Sequence, residues 1–169
     1  RPFGDHGHGG PVKALFRKGH PAARGKPSRL ASARRTGGIF GPLRAAPDFP
    51  PDRDIVSEED LHQYAASLAR NGFFGPNSWY LNAAANLAYA QHARQGGRLD
   101  MPVLFFHAMH DYVCETIDSP LAQPMREACA RLTEVTVASG HWMAQEKPVE
   151  VNAGLARWLA REFPALWCV

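Results

Sequence analysis

Residues 102–113 read Pro102-Val103-Leu104-Phe105-Phe106-His107-Ala108-Met109-His110-Asp111-Tyr112-Val113, and residues 135–142 read Val135-Thr136-Val137-Ala138-Ser139-Gly140-His141-Trp142. Each opens as a short apolar run of the kind expected for a parallel strand covered on both faces, over residues 102–107 and 134–138. Between them Leu121, Met125, Ala128, Cys129 and Leu132 mark one face of a helix. Beyond them Pro148 opens a second helix, with Val151, Leu155, Trp158 and Leu159 on its buried face. Strand, helix, strand, helix in this order predicts a βαβα unit, and so one edge of a parallel sheet. Two short strands make a poor sheet by themselves, so the remaining strands are expected before residue 1.

In open parallel sheets functional groups gather just beyond the carboxyl ends of the strands, where Asp111 and His141 both fall. A carboxylate bonded to one imidazole nitrogen fixes the tautomer and stabilises the imidazolium when the other nitrogen takes a proton. Gly140 suits a tight turn that exposes the ring. The pair is the acid-plus-base half of a catalytic triad in the order nucleophile, acid, histidine. On spacing alone, an Asp111 that caps a loop and a satisfied structural His141 account for the residues equally well. The nucleophile is expected upstream, and Gly-x-Ser-x-Gly occurs nowhere.

Upstream the chain changes character. Residues 1–54 are rich in Gly, Pro and Arg, with a short helix expected around 12–18. Ser57-Glu58-Glu59-Asp60 reads as a helix start with Ser57 as N-cap, and Leu61, Tyr64, Ala65 and Leu68 follow before Asn71-Gly72. A further helix capped by Asn77 or Ser78 would place Tyr80, Ala84, Leu87, Ala88 and Gln91 on its inner face. The expected divisions are therefore an irregular basic segment with part of a cap over 1–54, a helical cap portion over 55–97, and a carboxyl-terminal βαβα core portion over 98–169.

Composition narrows the classes. The chain has 169 residues, enough for one domain with a sizeable core, and 45% of them are apolar. Its apolar runs are too short to span a bilayer. Residues 1–50 hold ten Lys or Arg against two Asp or Glu, and the rest nine against fourteen. Pro and Gly interrupt this basic stretch and no aromatic residues interleave it for base stacking, which argues against nucleic acid as a partner. Cys114, Cys129 and Cys168 are odd in number and lack metal-ligand spacing, as in a cytoplasmic protein with reduced thiols. His107, His110 and Asp111 are three potential metal ligands, but strand geometry sends the two histidines to opposite faces. His6 and His8 form another weak candidate, and no metal or cofactor is expected. Met125 and Trp158 read as core by helical spacing.

Three motifs carry a resemblance. Phe73-Phe74-Gly75-Pro76-Asn77-Ser78-Trp79-Tyr80 resembles a cap segment of the form G-F-x-G-P-x-x-W-Y. Met101 to Val113 resembles a strand leading to an acid in a D-[FY]-V context. Gly140-His141-Trp142, with Glu146-Lys147-Pro148-Val149-Glu150-Val151-Asn152, resembles a G-H-W segment and the helix start K-P-x-E-V-N. In their order and spacing, residues 12–162 resemble the cap and carboxyl-terminal half of an α/β-hydrolase of the soluble epoxide hydrolase family. The fold implied is α/β: the carboxyl-terminal part of an α/β-hydrolase parallel sheet, preceded by a helical cap segment.

The resemblance implies hydrolysis in two steps through a covalent ester. In that family an aspartate opens the epoxide, and the histidine matching His141, oriented by the acid matching Asp111, activates the water that releases the product. Two cap tyrosines donate to the epoxide oxygen, and Tyr80 matches the second. A phenol of pKa about 10 is a neutral donor at pH 7 and suits a developing alkoxide. Trp79 and Trp142 adjoin these residues and are expected to line the substrate pocket. The implied partners are a small apolar epoxide and water, with the oligomeric state open. The family's oxyanion loop, nucleophile elbow and first cap tyrosine all precede the matched region, so a fragment or a degenerate relative is expected. His6-Gly7-His8-Gly9-Gly10 resembles an H-G-G-G oxyanion loop only superficially. Haloalkane dehalogenation or ester hydrolysis would use the same pair, and a non-catalytic remnant would use neither.

Overall fold

The computed structural model describes residues 9–26, 33, 35–40 and 46–166. They fall into two units interleaved along the chain: Arg1–Phe16 with Ala46–Arg98, and Arg17–Ala45 with Leu99–Val169.

The first unit is helical: α1 (Gly9–Leu15), α2 (Glu58–Asn71), α3 (Phe74–Leu81) and α4 (Ala83–Ala90). Ser57 starts α2 with a capping box. Its Oγ accepts from the Asp60 amide at 3.0 Å, and its own amide donates to Asp60 Oδ2 at 3.1 Å. Two of the orphan donors at the helix start are thereby satisfied. Val12, Ile55 and Val56 are the buried apolar residues of this unit, and the Phe16 and Tyr64 rings meet at 5.0 Å. The single helix expected to start from Asn77 or Ser78 is two, and the first begins earlier, at Phe74, with Phe73 in the N-cap position and no side-chain cap. Asn82 stands between them at φ −89, ψ 21, outside the helical region. Tyr80, Ala84, Leu87, Ala88 and Gln91, expected on an inner face, are exposed.

The second unit pairs β1 (Leu99–Ala108) in parallel with β2 (Cys129–Val137), from Pro102↔Arg131 to Ala108↔Val137. The register is irregular between Leu99 and Pro102, where Pro102 has no N–H to give to the ladder. Before β2 runs the short α5 (Gln123–Ala128), and after it come α6 (Met143–Glu146) and α7 (Pro148–Glu162). The helix expected through Leu132 stops at Ala128, and Cys129 and Leu132 lie in β2. Cys129 and Leu132 fit a helical period as well as a strand, but Thr133, Val135, Thr136 and Val137 are β-branched and the parallel ladder takes the whole stretch.

Gly154 sets the closeness of α7 to the sheet. A Cβ added there would lie 2.8 Å from Phe106 Cε1, so only glycine fits without a shift. Gly154 is the buried residue of α7, whereas Leu155, expected on the buried face, is 41% exposed. Val151, Trp158 and Leu159 are half-buried. Burial deepens toward the carboxyl end of β1, and His107, Ala108, Val137 and Ser139, near the carboxyl ends of the two strands, are closed off from solvent. Among the described residues no helix is long and apolar enough to cross a membrane.

Candidate active site

Two crossings of the backbone extend the ladder past the ends of the strands. Met109 donates to the Val137 carbonyl at 2.9 Å and His110 to the Ser139 carbonyl at 2.9 Å. The chain leaving β1 is thus laced to the chain leaving β2, and the next residue on one side, Asp111, faces the loop of His141 on the other.

Asp111 is 8% exposed. Its Oδ1 accepts from the amides of Val113 at 2.6 Å and Cys114 at 2.9 Å, and its Oδ2 meets His141 Nδ1 at 2.9 Å. An ionised carboxylate only accepts, so Nδ1 carries the proton. Burial pushes the Asp111 carboxyl up, but the His141 bond and the two amides outweigh it and hold it below its ordinary value. The same bond raises His141 above its ordinary value, against the opposing effect of burial. The Cys114 thiol is pushed up by burial and then by the Asp111 charge.

With Nδ1 turned inward, Nε2 of His141 has no hydrogen-bond partner among the described residues, and the side chain is 34% exposed. A carboxylate behind the ring and an unpartnered nitrogen in front are what a general base toward water requires. Trp142 stands edge-on to the ring, with centroids 5.2 Å apart.

The His141 loop has its own clamp, formed by residues that no motif or period pairs. Glu146 Oε2 accepts from the amides of Gly140 at 2.8 Å and Gly19 at 2.9 Å. The two glycines cross backbone to backbone: a Cβ on Gly19 would fall 2.2 Å from the Gly140 nitrogen. Only side chains reduced to hydrogen permit this approach. A glycine at both positions was visible in the sequence, but a contact spanning more than a hundred residues leaves no periodic mark.

Of the five expected site residues, the second unit brings together Asp111, His141 and Trp142. Trp79 and Tyr80 belong to the first unit, on α3, and are 75% and 77% exposed. His107, weighed as a metal ligand, is buried on β1 and bonded to Thr116 and Glu134. Among the described residues no group of three His, Cys, Asp or Glu is placed to hold a metal. His6, His8 and Cys168 lie outside the described residues.

A parallel strand pair flanked by helices, with an acid after one strand and a histidine after the next, defines part of an α/β-hydrolase. Similar proteins agree. The chain is 31% identical over 131 residues to the bifunctional epoxide hydrolase 2 of Rattus norvegicus, covering 77% of this chain and 22% of that one. It is 31% identical over 105 residues to the epoxide hydrolase A of Mycobacterium tuberculosis, covering 62% of this chain and 32% of that one. The fold superposes on a mutant epoxide hydrolase of Vigna radiata with a TM-score of 0.56 at 24% identity, over 72% of this chain and 38% of that one. No family model matches. The chain is related to the epoxide hydrolases, and it spans between about a fifth and a third of the length of these curated relatives.

Proposed function

We propose that this chain carries the base, its orienting acid and one electrophilic tyrosine of an epoxide hydrolase that adds water to a small apolar epoxide through an alkyl-enzyme ester. Residues 55–97 serve as the cap portion and 98–169 as core. The observation that carries this reading is the His141–Asp111 pair, bonded at 2.9 Å with Nε2 unpartnered among the described residues.

An aspartate nucleophile supplied by another part of the enzyme attacks an epoxide carbon, the C–O bond breaks, and the oxygen takes a proton from the Tyr80 phenol. His141 Nε2 then removes a proton from water as that water attacks the ester carbonyl. Asp111 stabilises the imidazolium, and collapse of the tetrahedral intermediate expels the alkoxide, which takes the proton of the new carboxyl group to leave as the diol. The imidazolium gives up its proton as the Tyr80 phenolate regains one, both by way of water. Tyr80 favours an epoxide over a haloalkane, because a halide leaves without a proton. Trp142, edge-on to the His141 ring, lines the apolar pocket beside the base, and Trp79 adjoins Tyr80 on α3. Reduced Cys114 and Cys129 suit residence in the cytoplasm.

The test is hydrolysis of stilbene oxide by this chain extended upstream, beside its His141→Gln variant. The wild type turns over. The variant loses roughly 10²- to 10⁴-fold in turnover and gains the mass of one substrate, because ring opening does not need the histidine but ester hydrolysis does. Turnover undiminished in the variant, or absent from the extended wild type, refutes the proposal.

A further inference from the structure

His107 lies four residues before Asp111, is 4% exposed, and takes no part in the acid–base pair. Both of its nitrogens are engaged. Nε2 is 2.8 Å from Glu134 Oε1 on β2, and Nδ1 is 2.9 Å from Thr116 Oγ1 in the loop that follows Asp111. Glu134 is held in turn by Arg126 of α5, whose Nε and Nη2 donate to the same oxygen at 2.9 and 2.7 Å. A carboxylate held by a guanidinium accepts only, so Nε2 of His107 carries the proton and Nδ1 accepts from the Thr116 hydroxyl. The Phe105 ring packs edge-on against the imidazole at 4.8 Å.

The loop over residues 109–119 is what aims Asp111 at His141. Its near end is laced to the sheet by the Met109 and His110 amides. Several bonds farther along stay within the loop: the Asp118 amide donates to Glu115 Oε1 at 2.7 Å, and Ser119 Oγ donates to the Glu115 carbonyl at 2.7 Å. The Arg24–Asp118 pair reaches outside it but is exposed at both ends, and such pairs hold a loop weakly. The bond from Thr116 to His107 is different in kind, since it ties the far side of the loop to a buried side chain fixed inside the sheet.

We infer that His107 is a positioning residue: through Thr116 it fixes the loop that carries Asp111, and so holds the Asp111 carboxylate in hydrogen-bond register with His141. Supporting contacts of this kind set the geometry of groups that touch substrate. The charged groups around His107 are Glu134 and Arg126. Those around His141 are Asp111 and, through the Gly140 amide, Glu146. The catalytic meaning of this role rests on the proposed function, but its test needs no turnover, so the two readings fail separately.

The test is the titration of the His141 ring by NMR in the full chain, assigned by the loss of its signal in His141→Gln. Wild type titrates with a midpoint above 6.5, the ordinary value. Thr116→Val and His107→Leu each move the midpoint down toward that value, because Asp111 no longer stays in register. His107→Gln keeps it near wild type, since an amide offers an acceptor to Thr116 and a donor to Glu134 at nearly the spacing of the two ring nitrogens. An unchanged midpoint in Thr116→Val overturns the inference, even where His107→Leu fails to fold. A His107→Gln variant that shifts as far as a folded His107→Leu overturns it as well.

Discussion

Replacing Glu146 by alanine removes the carboxylate, one oxygen of which accepts two backbone amides, and so strands those of Gly19 and Gly140. A buried donor left without a partner costs about 1–3 kcal/mol. Both bonds are only partly buried, so the lower half of that range applies, or about 2–4 kcal/mol for the two together. Water is a poor substitute where two main chains cross so closely that a Cβ on Gly140 would lie 2.6 Å from the Gly19 Cα. Glu146→Gln keeps an acceptor oxygen but gives up the charge, and a charge-assisted bond is roughly twice as strong as a neutral one. It should lose about half as much as Glu146→Ala. The assay is amide hydrogen exchange at Gly19 and Gly140. For Glu146→Ala the local free energy corresponds to roughly 30- to 700-fold faster exchange at both amides, with Glu146→Gln between the two. Wild-type protection at both amides in Glu146→Ala would refute the clamp.

Two further outcomes follow from the second unit. His141 has a raised folded-state pKa, so its contribution to stability is complete below 6.5 and lost as pH rises through the folded value. Asp111 has a lowered one, so its contribution is complete above 3.8 and lost as pH falls through the folded value. The melting temperature of wild type should therefore exceed that of Asp111→Asn most between pH 3.8 and 6.5, and a gap independent of pH would contradict the ion pair. Gly154→Ala sets a helix-propensity gain of about 1 kcal/mol against overpacking of about 1–3 kcal/mol at the Phe106 ring. Thermal unfolding should show net destabilisation, and a rise in melting temperature would mean that Phe106 yields freely.

The site was more legible in the sequence than the packing around it. Asp111 and His141 each follow an apolar run that does form a strand, and the strand ends alone bring them within hydrogen-bond reach. Ser57 and Asp60 lie three residues apart, and their capping box is a local arrangement that local sequence encodes. The extent of β2 is ambiguous in the sequence because Cys129 and Leu132 satisfy two periods at once and only pairing with β1 decides between them. The break at Asn82 had no breaker residue to announce it. His107 read as a stray ligand because its partners, Thr116 and Glu134, come from a loop and from the neighbouring strand. The Glu146 clamp leaves no local mark for the same reason, over a longer span.

That span has a consequence in time. Gly19 and Glu146 are 127 positions apart, and a ribosome adding about 5–20 residues per second separates their synthesis by roughly 6–25 s. Through that interval the carboxylate that the Gly19 amide bonds is not yet made, and all of residues 46–98 are made between the two halves of the second unit. The histidine loop therefore cannot set before Glu146 is made, however early the helices of the first unit form. A nascent chain halted before Glu146 would already hold Asp111 and His141 but would lack the carboxylate that fastens the loop between them and Gly19.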